Sequence, residues 1–450
     1  MQTHTELKWL QESRERGRTL YIGREKELQT LADCYAKDGF QVVRISGRLR
    51  SGRTSLVRHF LTENGYRGLW YQTAGINPAD DIAALSESVS GAGDTFRTIQ
   101  SALNAVFLQS LQDRVVLVID DYRRILDSTP NLTQDIEELI QVYRESCHLM
   151  MIIIDDNCEG LFDSENPQDI VLREWDMKQS SKMLSSFSPE DRVILYGILG
   201  GVPGHFVQLD PNLSARENIL TKIAAPGSEL YCEVERHLSE IMRETRLYNS
   251  LLYAISRGAV RMRDIVAMAG QPSATVNIYL NRMLEMGVVR KDYPFGEDPK
   301  TSRHTRYCIP DRLMAFYFYN YRAIRLGQPQ LVEQGLNAYL EPVFCQLCQE
   351  YLRTRLGGEN GAWWNRDTKM PIAGHADGRS YAGMSRWTGK QGDVEDLEDL
   401  KKAGRKMPED NTCYYLFVRP GYTKECQEKV KTLNHTFELV DFHAMMEELS

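Results

Sequence analysis

Long hydrophobic runs are missing from this sequence: the longest, "VVLVI" from 115 and "LMMIII" from 149, fall far short of the about 20 apolar residues that a membrane span needs. The first residues, "MQTHTELKWLQESRERGRT", are charged throughout and hold no apolar signal core, so a cytoplasmic location and no membrane partner are expected. Nine cysteines, an odd number without alternating Cys/His spacing, argue against a disulfide scaffold and against a structural zinc site. Internal repeats and low-complexity tracts are absent too, which excludes solenoids and long disordered linkers. What remains is a chain of 450 residues, 42% hydrophobic, too long for one compact core and rich enough in apolar material for two or three domains. Its formal charge is −8, yet residues 240 to 325 hold fourteen Lys/Arg against eight Asp/Glu, so a basic surplus is concentrated in one segment.

From Val42 the chain reads strand ("VVRIS"), Gly-rich turn, helix ("RTSLVRHFLTE"), strand ("GLWYQT"), helical stretch, strand ("VVLVID"), helix ("TQDIEELIQVYRES") and strand ("LMMIIID"). Strands alternating with helices predict a parallel sheet, and continuous apolar strands predict that both of its faces are covered. Helical patterns follow to about 240, broken by "GGVPG" and "DPNLS".

The turn "GRLRSGRT" nearly spells the phosphate-binding loop GxxxxGK(S/T), in which glycines let backbone N–H groups converge on phosphate, a lysine reaches the terminal phosphates and a hydroxyl holds Mg²⁺. Gly47, Gly52 and Thr54 match, and Arg53 stands where the lysine should be. An apolar strand precedes the loop and an amphipathic helix follows it, with Ser55 in its first turn, which aims a positive helix terminus at the anion. Further on, "VVLVIDDY" supplies Asp120 to orient Mg²⁺ beside Thr54, and Asp121 to polarise an attacking water.

With these residues in hand, the sequence resembles the archaeal and bacterial P-loop ATPases related to the AAA+ and STAND groups, which carry a winged helix and a C-terminal nuclease-like domain. Four stretches carry the resemblance over nearly the whole chain: "YIGREKEL", "GRLRSGRTSL", "LVIDDY" and "YGILGGVPGHF". It implies that Gly23, Arg24 and Glu25 lie beside the adenine and ribose, that Gly47, Arg48, Gly52, Arg53, Thr54 and Ser55 form the loop, and that Pro203 packs near the base. ATP or ADP with Mg²⁺ are the implied ligands, and a homo-oligomer is a candidate assembly. The resemblance implies an α/β P-loop NTPase parallel sheet over 1–175, a helical lid over 176–240, a winged helix over 241–325 and an α/β nuclease-like domain over 326–450.

The departures are as informative as the matches. Arginine keeps the lysine's charge but is planar and bulkier, so binding can survive where hydrolysis suffers. Asp121 is one methylene shorter than the glutamate more usual there, which moves its carboxylate back from the water it would orient. The fourth strand ends in "IIIDDNC", and three readings stay open. Asp155 and Asp156 crowd the metal position and are neutralised by Arg48, Arg50 and Arg53; Asn157 senses the γ-phosphate; or the segment is a polar exit from a strand.

Residues 247–256, 262–269 and 273–286 predict three helices, and "GVVRKDYPFGEDPKTSRHTRYCI" a hairpin, which together make a winged helix. In the third helix Val276, Leu280, Met283 and Leu284 form the apolar stripe, while Ser273, Thr275, Asn277, Asn281 and Arg282 point outward. With Arg290, Lys291, Lys300, Arg303 and Arg306 on the wing, this face is a candidate for double-stranded DNA, or else for docking on the nucleotide domain.

The last domain keeps the family's tryptophan pair, Trp363 and Trp364, but reads "KMPIAGH" where an acidic strand is expected, and Met384, Ser385, Arg386, Trp387 where ExK and Trp are expected. Nuclease chemistry needs clustered carboxylates around a metal. His375, Asp377 and Asp367 are nearby but read as loop polar residues, so an inactive nuclease fold is expected. The reading reached is an ATP-binding switch with weak hydrolysis. Its alternatives are a DNA-binding protein with a decayed nucleotide site and an ATP-regulated nuclease.

Overall fold

The computed structural model describes residues 21–73, 77–90, 96–241, 245–408, 413–433 and 436–450, and these divide into two compact units meeting between Glu174 and Trp175. The first unit contains α1 (Glu25–Ala36), β1 (Gln41–Gly47), α2 (Arg53–Asn64), β2 (Gly68–Gln72), α3 (Pro78–Ser90), α4 (Ile99–Gln109), β3 (Val115–Asp120), α5 (Tyr122–Ser128), α6 (Leu132–Tyr143), β4 (Leu149–Asp155) and β5 (Gln168–Leu172). Its five strands pair in parallel in the order β2-β3-β4-β1-β5.

The continuous apolar strands are explained by what lies on each side. Val116, Val118, Met150, Ile152 and Ile154 face the layer of α1 and α2, while Val115, Leu117, Ile119, Leu149, Met151 and Ile153 face that of α4, α5 and α6. Because successive side chains of a strand point to opposite faces, both sets must be apolar and no alternation survives in the sequence. The fifth strand was not anticipated: in "QDIVL" only Ile170 and Leu172 are buried, as befits an edge strand.

The second unit begins with helices that include α7 (Met177–Met183), α8 (Pro189–Leu199) and α9 (Glu229–Ile241). In "GGVPG" a Cβ on Gly201 would come within 1.8 Å of the Trp175 carbonyl oxygen, so only glycine allows this close backbone contact. Three helices, α10 (Thr245–Ser256), α11 (Met262–Ala269) and α12 (Ser273–Glu285), then precede the antiparallel hairpin of β6 (Arg290–Asp292) and β7 (Arg306–Cys308). After α13 (Arg312–Tyr319) comes the long α14 (Pro329–Leu356). A mixed sheet follows, made of β8 (Glu359–Trp364), β9 (Lys369–Ala376), β10 (Arg379–Arg386), β11 (Cys413–Val418) and β12 (Phe437–Val440). β8, β9 and β10 pair antiparallel, and β10, β11 and β12 pair parallel. A C-x-x-C spacing, Cys345 and Cys348, lies within α14, and burial pushes both thiols up, as befits apolar fillers.

Candidate functional site

The loop between β1 and α2 is shaped by two glycines with different reasons. A Cβ on Gly47 would approach the Leu172 carbonyl oxygen to 2.8 Å and Ser51 Oγ to 2.9 Å, so space forbids any other residue. Gly52 has open space around it but sits at φ 93°, a conformation that side-chain-bearing residues adopt at a cost. Between them Ser51 N–H bonds Arg48 O at 3.1 Å to close the turn. No side chain caps α2 at Gly52 and no acid occupies its own first turn, so the positive end of its dipole faces the loop. Ser55 is exposed in that first turn.

Thr54 and Asp120, remote in sequence, meet as expected: Thr54 Oγ1 donates to Asp120 Oδ2 at 2.8 Å. Asp120 is 2% exposed, and burial above all pushes its pKa up to about 6; neighbouring Asp121 adds to the rise, while the Thr54 bond, Arg53 and Arg58 oppose it. A buried carboxyl raised this far, its hydrogen bond among the described residues made by a neutral hydroxyl, is a site that a cation would relieve. Mg²⁺ takes one or two carboxylates and otherwise phosphate and water oxygens, so the Thr54 and Asp120 oxygens fit it. Asp121 follows in the left-handed region at φ 57°, half-buried, its pKa raised by burial first and offset by Arg53 and Arg124, with Asp155 and Asp156 adding to the rise.

Arg53 does not reach out of the loop. Its Nη1 donates to Gly47 O at 2.8 Å and to Asp156 Oδ1 at 2.5 Å, and the side chain is only 10% exposed. Arg48 makes a separate pair with Glu174 at 2.5 Å, and Arg50 sits at φ 65° in the loop. Of the acidic strand exit, Asp155 is held by the Arg123 and Asp156 N–H groups, each at 2.7 Å. Asn157 Oδ1 accepts from Glu159 N–H at 2.8 Å, which commits that oxygen to a local turn. Of the loop arginines, Arg53 is seen paired with Asp156 at the exit of β4.

The segment ahead of α1 adjoins the loop. Gly23 and Arg24 both take left-handed backbone, and Glu25 is exposed at the start of α1. Arg24, 5% exposed, donates to Arg173 O at 2.7 Å and to Ser51 O at 3.5 Å, and pairs with Glu27 at 3.1 Å. This buried guanidinium ties the loop to the end of β5, a positioning role that sequence reasoning missed. The stacked pair of Tyr21 and His59, centroids 4.1 Å apart, ties the same segment to α2. Pro203 opens the short helix Pro203–Phe206 of the second unit, where buried His205 bridges Leu199 O at 2.8 Å and Glu233 Oε1 at 2.9 Å.

On α12, Val276, Leu280 and Met283 are fully buried, whereas Ser273, Asn277, Asn281 and Arg282 are exposed and Thr275 and Leu284 half-buried. The hairpin departs from the expectation of a free wing. Arg306 lies 4.2 Å over the Trp364 ring, Trp364 Nε1 donates to His304 O at 2.8 Å, and Phe295 N donates to Ala362 O at 2.8 Å. Arg290 is exposed and pairs with Asp292 at 2.9 Å within the hairpin, Lys291 is half-buried, and Lys300 and Arg303 are exposed. In the last sheet, His375 Nδ1 and Ser380 Oγ are 3.1 Å apart, Asp377 occupies a left-handed turn at φ 49°, and Asn365 Oδ1 accepts from Asp367 N–H at 2.9 Å. Arg386 forms a two-pronged pair with Asp396.

No family model matches the sequence. Over 455 aligned residues, covering 94% of this chain and all of the relative, it is 24% identical to the uncharacterized protein MJECL04 of Methanocaldococcus jannaschii. Among solved structures it is similar to the Walker-type ATPase paby2304 of Pyrococcus abyssi, with 16% identity, 66% of this chain and 96% of that chain covered, and a TM-score of 0.48. It is also similar to Cdc6p from Pyrobaculum aerophilum, with 14% identity, 70% and 97% covered, and a TM-score of 0.34. Among the described residues no helix is long and apolar enough to cross a membrane.

Proposed function

We propose that the first unit binds ATP or ADP with Mg²⁺ at the loop from Gly47 to Thr54 and acts as an AAA+/STAND-like, nucleotide-dependent switch with weak hydrolysis. The observation that carries this is the meeting of Thr54 and Asp120 at 2.8 Å, beside an uncapped helix terminus at the carboxyl end of a parallel sheet. Ligands of such sheets bind outside the carboxyl ends of the strands, and helix N-termini favour phosphate. The loop amides cradle the phosphates, Arg53 supplies the cation of the missing lysine, and Thr54 and Asp120 hold the metal. When bound, Mg²⁺ would neutralise phosphate charge and fix its geometry. Asp121 would orient the attacking water. Its short side chain and left-handed backbone make it a poor reach for that task, which is the reason for expecting slow turnover.

A ligand of the native state raises stability with its concentration. Melting of the whole chain is therefore expected to shift upward with millimolar ADP or ATP, and further with Mg²⁺. An unchanged melting curve in all four conditions would instead favour a decayed site whose fold serves only as scaffold.

A second reading concerns the second unit, because α12 exposes Ser273, Asn277, Asn281 and Arg282 on the face opposite its buried stripe. These residue types suit base edges and phosphates of duplex DNA, with α12 as the contacting element.

A further inference from the structure

We propose that Asp156 is a built-in competitor for the terminal phosphates: its carboxylate holds Arg53 across the loop, and a phosphate gains the guanidinium by displacing it. This deepens the nucleotide reading above and rests on it. The geometry is that of a latch. Arg53 opens α2 and Gly47 closes β1, so the single Nη1 that bonds Gly47 O at 2.8 Å and Asp156 Oδ1 at 2.5 Å spans the loop from one end to the other and joins it to the exit of β4. In this pose the cation serves the protein's own carboxylate from a side chain 10% exposed.

Of the two carboxylates at the exit of β4, only the one in the latch is free to move. Asp155 has a side chain 9% exposed and accepts two backbone N–H groups, so swinging it away would break both bonds. The Asp156 side chain is 72% exposed, and on leaving Arg53 its carboxylate passes directly into water. An ion pair with one partner so exposed is weak, because water screens it and rehydrates the released charge. A phosphate chain with Mg²⁺ can therefore displace it, at a cost in affinity. That cost is increased by repulsion, since Asp120, Asp121, Asp155 and Asp156 all lie near enough for the charges of Asp155 and Asp156 to act on Asp121, and of Asp121 on Asp120. Occupancy of the loop is thereby coupled to the exit of β4, since the same carboxylate cannot hold Arg53 and yield it.

The test is a fluorescence titration of the full chain with an N-methylanthraniloyl derivative of ADP in Mg²⁺, comparing wild type with Asp156→Asn and Asp156→Glu. Asp156→Asn, which removes the charge and keeps the shape, is expected to bind on the order of three- to tenfold tighter. Asp156→Glu should stay near wild type. The gain of Asp156→Asn should shrink as ionic strength rises, as a purely structural effect would not. Should Asp156→Asn melt well below wild type without nucleotide, Asp156→Ser reads the same loss of charge. Equal or weaker binding by the uncharged variants, with wild type binding normally, would overturn the latch and leave the nucleotide reading standing. No binding by any variant would overturn that reading and the latch with it.

Discussion

Asp120 carries the electrostatic tension of the site. An aspartate raised in the folded state to about 6, against an ordinary value near 3.9, takes up its proton on folding at higher pH than in the unfolded chain. Its ionised form therefore penalises the fold fully above about pH 6, and the penalty is relieved progressively as pH falls from there toward the unfolded value near 3.9. Asp120→Asn should accordingly leave the melting temperature at pH 7 unchanged or raised without nucleotide, and should abolish the extra stabilisation by Mg²⁺. A large loss of stability in the metal-free variant, read by calorimetric melting at pH 5 and pH 7, would show that Asp120 is a structural anchor instead. Asp120 and Thr54 were legible in the sequence because a hydroxyl after a glycine turn and an acid ending an apolar strand are each local signals. Arg24 was legible only as a member of a box. Its bonds to Ser51 O and Arg173 O cross 27 and 149 residues, and no local pattern encodes a contact made to a backbone carbonyl.

At the scale of elements, the loop is set by backbone geometry rather than by side chains, and its two glycines should fail differently. Gly47→Ala must push a Cβ against the Leu172 backbone, so it should separate β1 from β5 and lower the melting temperature. Gly52→Ala meets no atoms and should cost only conformational strain, on the order of 1–3 kcal/mol. Each kcal/mol corresponds to about 2–4 °C in melting temperature for a unit of this size. Gly47→Ala is expected to melt lower than Gly52→Ala, and the reverse order would mean that β5 yields easily. β1 to β4 could be read from the sequence because strands buried on both faces leave unbroken apolar runs. β5 could not, since it buries only Ile170 and Leu172 and the charged Asp169 it carries is paired to Arg44 at 2.7 and 2.8 Å. In the second unit the three helices and the hairpin followed from their helical stripe and turn residues. The Gly201 requirement was invisible, because it depends on the backbone of Trp175.

At the scale of the whole molecule, the basic surplus of residues 240 to 325 divides into two surfaces with different fates. Arg282 on α12 is exposed, whereas Arg306 on the hairpin is stacked on Trp364, and burial lowers the pKa of that guanidinium. The sequence could not separate them, because Trp364 lies 58 positions beyond Arg306 and nothing local marks the pairing. If α12 meets duplex DNA, Arg282→Ala should weaken binding and flatten its salt dependence by about one counterion. Arg306→Ala should instead lower the melting temperature and leave DNA affinity nearly unchanged. Fluorescence anisotropy at two salt concentrations, with melting curves alongside, separates these outcomes. An equal loss of DNA binding in both variants would mean that the hairpin leaves the sheet to bind.

In the proposed function the first unit is a nucleotide site in which an arginine has taken the lysine's place and Thr54 and Asp120 hold the metal. Calorimetric titration of the whole chain with ATP, with and without Mg²⁺, tests it most directly. Saturable binding in the micromolar to submillimolar range is expected, tightened by Mg²⁺ in the wild type and not in Asp120→Asn, and strongly weakened in Arg53→Ala. No heat of binding at millimolar ATP, with Mg²⁺ present and the chain folded, would contradict it.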